Sequence, residues 1–344
     1  MKKIKLLTFS EENSYGAMLQ CYALSRLLSE WGYEVTLIVV PLKKHDYGFI
    51  GNITYRIGAM FFDKFRKNKL PDMVHFENCR FEEDDIFIVG SDQVWNPDIT
   101  RETVFNYFFD FLPDNSKRIS YAASFGISEW TRMDIRGKVG ECLQKFSSIS
   151  VREPSGSQIC KGIFNLNAKV VLDPTLLLNS YEDLINRDIT TKNTLIYFSL
   201  LKTSPKLQEA IRYMGKRTGN VPLMLGERRF HRGIRTRAWM TVESWVSQIA
   251  SSSFVITNSF HCTVFAIIFK KQFVVIPGHP NRSGRIFNLL DSLGLSNRYY
   301  NNVEDFYSNE ECLKPIDYDV LLEKLGPLRD ESMTFLKNAL NKGD

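Results

Sequence analysis

Short apolar runs that alternate with helix-like stretches constrain the fold of this chain more than any other feature. The run KIKLLTF has the length of a buried strand, whereas residues 15–31 repeat apolar side chains every three or four positions. EVTLIVV then returns to the strand pattern, and four more such runs follow: DIFIVG, RISYAAS, SSISV and AKVVL. This alternation predicts a parallel sheet whose strands are joined by right-handed helical crossovers.

A polar stretch divides the alternation into two halves. The segment SYEDLINRDITTKN interrupts it after DPTLLLN, and the pattern restarts with TLIYFSL, VPLML, SFVIT and QFVVI. A length of 344 residues also exceeds the usual size of one hydrophobic core. We therefore predict an α/β protein of two Rossmann-like, doubly wound domains, residues 1–178 and 179–344, the second ending in a helix over residues 317–341. A cleft between the domains is the expected place for a ligand.

The composition excludes several classes of protein. No stretch of about 18 uncharged apolar residues is present, so the sequence predicts no membrane span. The start MKKIKLLTFS lacks the apolar core of a signal peptide, and the six cysteines form no CxxC pair. We therefore expect a cytoplasmic protein with reduced thiols and without a metal site.

The net charge of +5 is mild for this length, and its basic residues are spread rather than gathered into an arm or tract. This argues against a nucleic-acid partner and fits an anionic small substrate, an acidic bilayer surface or a charge that serves only solubility. The segment Gly48–Lys69 mixes apolar and basic residues, as an interfacial amphipathic helix does, although an ordinary surface helix fits the same pattern. Peripheral contact with the inner face of the membrane is thus one of two interpretations.

Two loops of the first half concentrate polar residues directly after strand-like runs. The loop before the first helix offers backbone N–H groups and the positive helix end to an anion, or is a simple helix cap. The loop after FIVG lies where open α/β sheets bind ligands, and its Trp either packs on a sugar face or belongs to the core. The predicted acceptor-side residues are Asn13, Tyr15, Gly16, Ser91, Asp92, Gln93 and Trp95.

Three further segments carry candidate groups for a second ligand. In SISVREPSG, Arg152 either clamps an anion or, with Glu153, holds the two domains together by charge pairing. In VITNSFHCTVF, a helix that Ser259 can cap starts at a strand end. The helix dipole there favours a neutral His261 that can exchange protons near pH 7, whereas the alternative is a purely structural histidine. PGHPNRSGRIF is either an anion site or a solvated loop. The predicted donor-binding residues are Arg152, Asn258, Ser259, Arg282 and Arg285, with His261 as the catalytic residue.

Six blocks in order resemble the polysaccharide pyruvyl transferase family along about 260 residues. They are NSYGAMLQCYAL, FIVGSDQVWNP, SYAASFG, ISVREPSG, VLDPTLL and VITNSFHCTVFAIIF. The resemblance implies a GT-B-like pair of domains and transfer of a carboxyethylidene group from phosphoenolpyruvate to two hydroxyls of a sugar. It implies that His261 is the general acid, that no cofactor is needed besides phosphoenolpyruvate as co-substrate, and that the acceptor is a sugar or lipid-linked oligosaccharide of a bacterial surface glycan.

The chain departs from the family pattern beside this histidine. Some branches have Arg two residues before it, where this chain has Ser259, and Gly after it, where this chain has Cys262. Two alternatives to pyruvyl transfer follow: a GT-B-type glycosyltransferase that uses a nucleotide-sugar, and a catalytically silent glycan-binding member.

Overall fold

The computed structural model describes residues 2–41, 48–190, 193–199, 203–276, 284–308 and 310–342. The chain divides into two compact units. The first unit comprises residues 1–178 together with 326–344, and the second unit comprises residues 179–325. Each unit contains its own parallel sheet, as the restart of the strand and helix alternation predicts.

The described strands of the first unit form a seven-stranded parallel sheet with the order β3-β2-β1-β4-β5-β6-β7. The strands are β1 Lys3–Leu7, β2 Glu34–Val39, β3 Met73–His75, β4 Ile86–Val89, β5 Lys117–Ala123, β6 Phe146–Val151 and β7 Lys169–Val170. The helices are α1 Tyr15–Glu30, α2 Gly48–Lys69, α3 Pro97–Thr100, α4 Arg136–Gln144 and α5 Pro154–Phe164. The central strand β4 is buried at all four positions, because helices cover both faces of such a sheet.

The described strands of the second unit form a five-stranded parallel sheet with the order β10-β9-β8-β11-β12. The strands are β8 Thr194–Phe198, β9 Val221–Leu225, β10 Arg235–Arg237, β11 Phe254–Thr257 and β12 Gln272–Val275. The helices are α6 Pro205–Thr218, α7 Val242–Ser251, α8 Phe260–Ile268, α9 Gly284–Ser292 and α10 Val303–Ser308, followed by α11 Tyr318–Asn341. The edge strand β10 has no counterpart in the sequence interpretation, because three exposed polar residues carry no strand pattern.

The end of the chain belongs to a different unit from the one that the sequence suggested. We assigned residues 326–344 to the second domain, whereas they group with the first unit. Arg329 donates to the carbonyl of Leu177, and the Ser332 hydroxyl accepts from the backbone N–H of Leu172. The periodicity of α11 predicts that one face is buried, but it carries no information about which sheet buries that face.

Each sheet has one topological switch point, where the strand order reverses direction. In the first unit it lies between β1 and β4, and in the second between β8 and β11. Ligands of open α/β sheets bind beyond the carboxyl ends of the strands at such points. The loops that follow β1, β4 and β11 are the loops that the sequence interpretation selected.

Candidate active site

Hydrogen bonds join the two loops at the switch point of the first unit. The Thr8 hydroxyl, just after β1, donates to the carbonyl oxygen of Ser91, just after β4, at 3.1 Å. Gln20 of α1 donates to the Thr8 oxygen at 2.9 Å. These buried bonds fix the β1 loop, the β4 loop and the start of α1 relative to one another, as a binding site requires.

Gly90 lets the β4 loop pass close to its neighbouring strand. Its φ of +119° is a conformation that residues with a Cβ rarely adopt, and a Cβ here would lie 2.1 Å from the carbonyl oxygen of Tyr121. Asp92, two residues further along the loop, has a φ of +68°. The loop therefore turns sharply and holds Asp92 and Gln93 half-buried at the carboxyl edge of the sheet.

A buried ionic network lies beneath this loop. The Arg152 guanidinium donates to Asp173 with an N–O distance of 2.9 Å and lies 3.5 Å from Asp92 and 3.9 Å from Glu153. Glu153 in turn accepts from the Ser124 hydroxyl at 2.7 Å, and Asp173 accepts from Ser91 at 2.9 Å. The network thus ties the carboxyl ends of β4, β5 and β6 to the segment after β7.

The Arg152 side chain is engaged in ion pairs with these carboxylates. Burial lowers its pKa, but the attraction of Asp173, Asp92 and Glu153 outweighs burial, so that the pKa of Arg152 is raised. Only 2% of its side chain is exposed. This placement does not fit the predicted clamp for a donor anion, and it corrects the alternative of a bridge between domains as well, since all four charged residues belong to the first unit.

Glu12 is a candidate group that the sequence interpretation missed. Its carboxyl lies in the β1 loop, and burial raises its pKa, with Asp92 and Glu11 adding to the effect and Arg66 opposing it. A half-buried carboxyl with a raised pKa is a typical acid or base in an enzyme. Glu12 follows the first strand-like run, and this position could have identified it from the sequence. The sequence interpretation named only the residues from Asn13 onward, at the start of the helix.

The other predicted residues of this loop are held by α2. Arg66 of α2 donates to the Asn13 side chain at 2.8 Å and to the carbonyls of Ser10 and Glu11. Tyr15 packs on Phe62 of α2, with 5.0 Å between ring centroids. Asn13, Tyr15 and Gly16 are all half-buried at the start of α1. Ser14 occupies the cap position of α1 without a side-chain cap bond.

Trp95 and Ser91 lie deeper than an acceptor contact requires. Trp95 is fully buried, stacks on Phe108 at 5.2 Å between ring centroids, and donates its indole N–H to the carbonyl of Tyr107. It is therefore a core residue and not a platform for a sugar. The Ser91 side chain is buried as well and belongs to the Asp173 network. Of the predicted residues in this loop, Asp92 and Gln93 remain accessible.

In the second unit, the end of β11 leads directly into α8. Ser259 is the N-cap of α8, and its hydroxyl accepts from the backbone N–H of Cys262 at 3.4 Å. Thr257 donates to the carbonyl of Phe198, and Asn258 donates to the Ser199 hydroxyl, so the ends of β11 and β8 are linked across the switch point. The predicted turn and helix start are confirmed.

His261 is the second residue of α8. It is buried with 7% of its surface exposed, and its ring lies edge-on to Phe260 with 5.2 Å between centroids. Cys262 behind it is fully buried, and burial raises its pKa to about 12. At pH 7 the Cys262 thiol is therefore protonated and a poor nucleophile. The catalytic role of His261 stays a prediction.

The segment PGHPNRSGRIF, residues 277–287, is described only from residue 284 onward. Arg282 lies outside the described residues, together with the preceding PGHPN. Arg285 is the second residue of α9 and is half-buried. The described residues contain no group of three or more His, Cys, Asp or Glu that could hold a metal ion.

Known structures share the fold at low sequence identity. The Staphylococcus aureus protein MnaA, solved with UDP, has a TM-score of 0.56 and 13% identity, with 99% of this chain and 97% of that chain covered. Arabidopsis thaliana UGT89C1 has a TM-score of 0.54 and 11% identity, with 98% and 97% covered. These similarities show the GT-B-like pair of Rossmann-like domains. No curated protein matches the chain in sequence.

A family model described as polysaccharide pyruvyl transferase matches residues 15–280. The match begins with α1, includes the β4 loop and the Arg152 network, and ends just beyond β12. It therefore contains the switch-point loops after β4 and β11. The chain belongs to the polysaccharide pyruvyl transferase family.

Proposed function

We propose that this protein transfers a carboxyethylidene group from phosphoenolpyruvate to two hydroxyls of a sugar in a bacterial surface polysaccharide, forming a cyclic ketal. Family membership supports the reaction class. The observation that carries the proposal is the position of His261, in the first turn of a helix that starts at the carboxyl end of β11. A histidine there stands beside backbone N–H groups that favour an anionic donor.

The reaction needs one proton at carbon and a route for the protons of two hydroxyls. His261 delivers a proton to the methylene carbon of phosphoenolpyruvate, and C2 becomes an oxocarbenium-like centre. The first sugar hydroxyl adds to C2 and returns a proton to His261. The C–O bond to phosphate then breaks, the second hydroxyl closes the ketal, and its proton leaves with the phosphate.

On the donor side, Asn258 and Ser259 hold the loop that presents the start of α8, and Arg285 supplies positive charge from the start of α9. Guanidinium and helix N-terminal groups stabilise the carboxylate and the leaving phosphate. Arg282 belongs to the same proposal by its position in the sequence.

On the acceptor side, Glu12, Asp92 and Gln93 supply groups that bind sugar hydroxyls. The half-buried Glu12 carboxyl, whose pKa burial raises, hydrogen-bonds a sugar hydroxyl and orients it. The Arg152 network positions Asp92, because its guanidinium lies 3.5 Å from that carboxylate in a buried setting. Arg152 thus acts as a positioning residue.

The test is release of phosphate from phosphoenolpyruvate in the presence of an oligosaccharide acceptor. We expect release only when the acceptor is present, and we expect His261→Ala to reduce it by at least about a hundredfold, the usual contribution of a general acid. His75→Ala, in the first unit, is the control and should retain full activity. Circular dichroism should show that both variants remain folded.

Two outcomes of that assay would contradict the proposal. Unchanged turnover in His261→Ala would remove this residue from the mechanism. Absence of acceptor-dependent phosphate release across a panel of bacterial surface oligosaccharides would remove pyruvyl transfer itself and favour a silent glycan-binding member.

A nucleotide-sugar transferase is the second candidate function. The similarity in fold to MnaA, whose structure contains UDP, favours it. Isothermal titration with UDP separates the two functions. The pyruvyl transferase is expected to show no saturable UDP binding, whereas saturable binding that competes with a sugar nucleotide would support the second function.

We also propose that α2 contacts the membrane that carries a lipid-linked acceptor. Ile53, Ile57 and Met60 are exposed by 44%, 42% and 70% and recur at helical spacing on one face. Lys64 and Lys67 continue the same face, exposed and without an ion pair among the described residues. An apolar stripe continued by basic residues suits an anionic bilayer surface. Every described helix is too short or too polar to span a bilayer.

Sedimentation with vesicles tests this contact. The full chain should bind vesicles that contain phosphatidylglycerol more strongly than pure phosphatidylcholine vesicles, and Met60→Glu should weaken the binding. Met133→Glu, at an exposed methionine outside α2, is the matched control. Equal binding by the two variants would exclude α2 as the contact.

A further inference from the structure

One segment of the second unit contains most of the net positive charge of the protein. Residues 227–239, ERRFHRGIRTRAW, hold five arginines and one glutamate, a formal charge of +4 within a chain of net +5. The sequence interpretation, which treated the basic residues as spread along the chain, is wrong at this point. A local excess of this size attracts anions much more strongly than the same charge distributed over the surface.

The arginines border a groove along the edge of the second sheet. Arg235 and Arg237 alternate on the exposed edge strand β10, which pairs with β9. They line a groove of about 900 Å³ together with Phe230 and with residues 188–190, which precede β8. The groove also reaches Val221, the first residue of β9. It therefore lies away from the carboxyl ends of β8 and β11, where His261 is found.

The acidic residue of the segment does not neutralise these cations. Glu227 accepts hydrogen bonds from the backbone N–H groups of Arg228 and Arg229 at 2.8 Å, and its second oxygen lies 3.4 Å from His231. Within the described residues, the side chains of Arg229, Arg232, Arg235 and Arg237 form no ion pair. Asp188 lies on the rim of the groove and offsets only part of the charge.

An aromatic ring accompanies the cations. Phe230 is 86% exposed, the highest value for a large apolar side chain among the described residues. Beside a cationic groove, this ring supplies a flat apolar surface against which an apolar face of a ligand can pack. The C–H face of a sugar ring is such a face.

We propose that this groove binds a strand of acidic polysaccharide, with its carboxylates on the arginines and a sugar ring against Phe230. Guanidinium groups bind carboxylates through paired N–H donors, and exposed arginines that form no ion pair with any described residue are available for such contacts. The identity of the ligand rests on the proposed function, since a glycan modified with pyruvyl ketals carries one carboxylate per ketal.

The experiment measures binding of the full chain to a polygalacturonate fragment by microscale thermophoresis. We expect saturable binding that weakens as salt is raised, because screening reduces the attraction between exposed charges. Neutral dextran of the same length should bind much more weakly. Arg235→Gln with Arg237→Gln should weaken polygalacturonate binding by roughly tenfold, since each exposed ion pair contributes a few fold.

A matched variant separates the groove from general charge. Lys270→Gln with Lys324→Gln removes two exposed charges from other parts of the second unit, Lys270 lying just before the opposite edge strand β12, and should leave binding within about twofold. Phe230→Ala should weaken binding to the polysaccharide without changing its salt dependence. Equal losses in both charge variants would overturn the proposal.

The same binding assay tests two other anionic ligands that a basic groove could bind, RNA and an anionic membrane surface. Binding to single-stranded RNA or to phosphatidylglycerol vesicles that depends on Arg235 and Arg237, with no binding to polygalacturonate, would overturn an acidic glycan as the ligand. The binding assay contains no phosphoenolpyruvate. If no acceptor-dependent phosphate release is detected but polygalacturonate still binds, the proposed reaction is wrong and the proposed binding site in the groove is supported.

Discussion

At the scale of single residues, the network around Arg152 is a buried cluster of charges in the first unit. One guanidinium there lies among three carboxylates, from Asp92, Glu153 and Asp173, and the side chain of Asp173 is fully buried. Removing one charged partner from a buried network destabilises the fold, because the remaining charge is then buried without a counter-ion.

Asp173→Asn should therefore destabilise the protein. The change removes the carboxylate closest to Arg152, and the expected loss is about 3 kcal/mol of unfolding free energy, measured by urea denaturation. The surface pair Lys169–Glu331 provides the control, since Glu331→Gln breaks an exposed ion pair and should cost under about 1 kcal/mol. Similar losses in the two variants would show that burial of the network is unimportant.

Glu12 predicts a dependence of stability on pH. Its folded-state pKa is raised above the ordinary value of 4.5, chiefly by burial, so the folded protein binds this proton more tightly than the unfolded chain. The stability that the proton contributes is fully present below the unfolded pKa and is lost as pH rises through the folded pKa.

Glu12→Gln should consequently be slightly more stable than the native protein at pH 7 and indistinguishable from it near pH 4. Thermal unfolding across that range measures the difference, with Glu129→Gln, at an exposed position, as the control for net charge. A stability difference that grows toward low pH would contradict the assigned direction. Because Glu12 is proposed to orient a sugar hydroxyl, acceptor-dependent phosphate release should also fall in the same variant.

At the scale of elements, the strand–turn–helix unit of β11 and α8 contains both a helix cap and the proposed catalytic residue, His261. Ser259 caps α8 with its hydroxyl, and Thr257 links the turn to β8. The local pattern was sufficient to predict this unit, because a polar cap between an apolar strand and an apolar helix is a signal within a few residues.

Ser259→Ala should cost about 1 kcal/mol of unfolding free energy through loss of the cap, and should also raise the KM for phosphoenolpyruvate. Ser204→Ala is the matched control, because Ser204 caps α6 in the same manner. It should cost a similar amount of stability while leaving the KM unchanged. A KM that is the same in both variants would assign Ser259 a structural role alone.

At the scale of the whole molecule, the chain returns to its first unit at its end. The second part of α11 lies in the first unit, and Leu336 and Leu340 on it are buried. The first unit is thus built from two segments that are separated by more than a hundred residues of sequence. Folding of that unit requires closure of a long loop.

Leu336→Ala should destabilise the first unit by about 3 kcal/mol, as is usual for a buried leucine. Leu322→Ala, on the same helix but 44% exposed, should cost under about 1 kcal/mol. Hydrogen exchange of the amides of β1 and β4 reports on the first unit. Faster exchange there in Leu336→Ala than in Leu322→Ala is expected, and faster exchange confined to β8 and β11 would refute the assignment of the tail.

Properties that depend on a few neighbouring residues were readable from the sequence alone. The alternation of strands and helices, its restart at Thr194, and the cap and first turn around Ser259 and His261 are such properties, because propensity and periodicity act over short distances. The family and the fold class followed from the same ordered blocks.

The tertiary structure alone decided what depends on residues distant in sequence. Trp95 lies in the core because Phe108 and the Tyr107 carbonyl close around it, and Arg152 is engaged because Asp173 reaches it after β7. The same holds for the groove at β10, which exists only because Arg235 and Arg237 pair beside β9. Burial and charge pairing depend on which distant segments come into contact in the fold, and a local sequence pattern contains no information about those contacts.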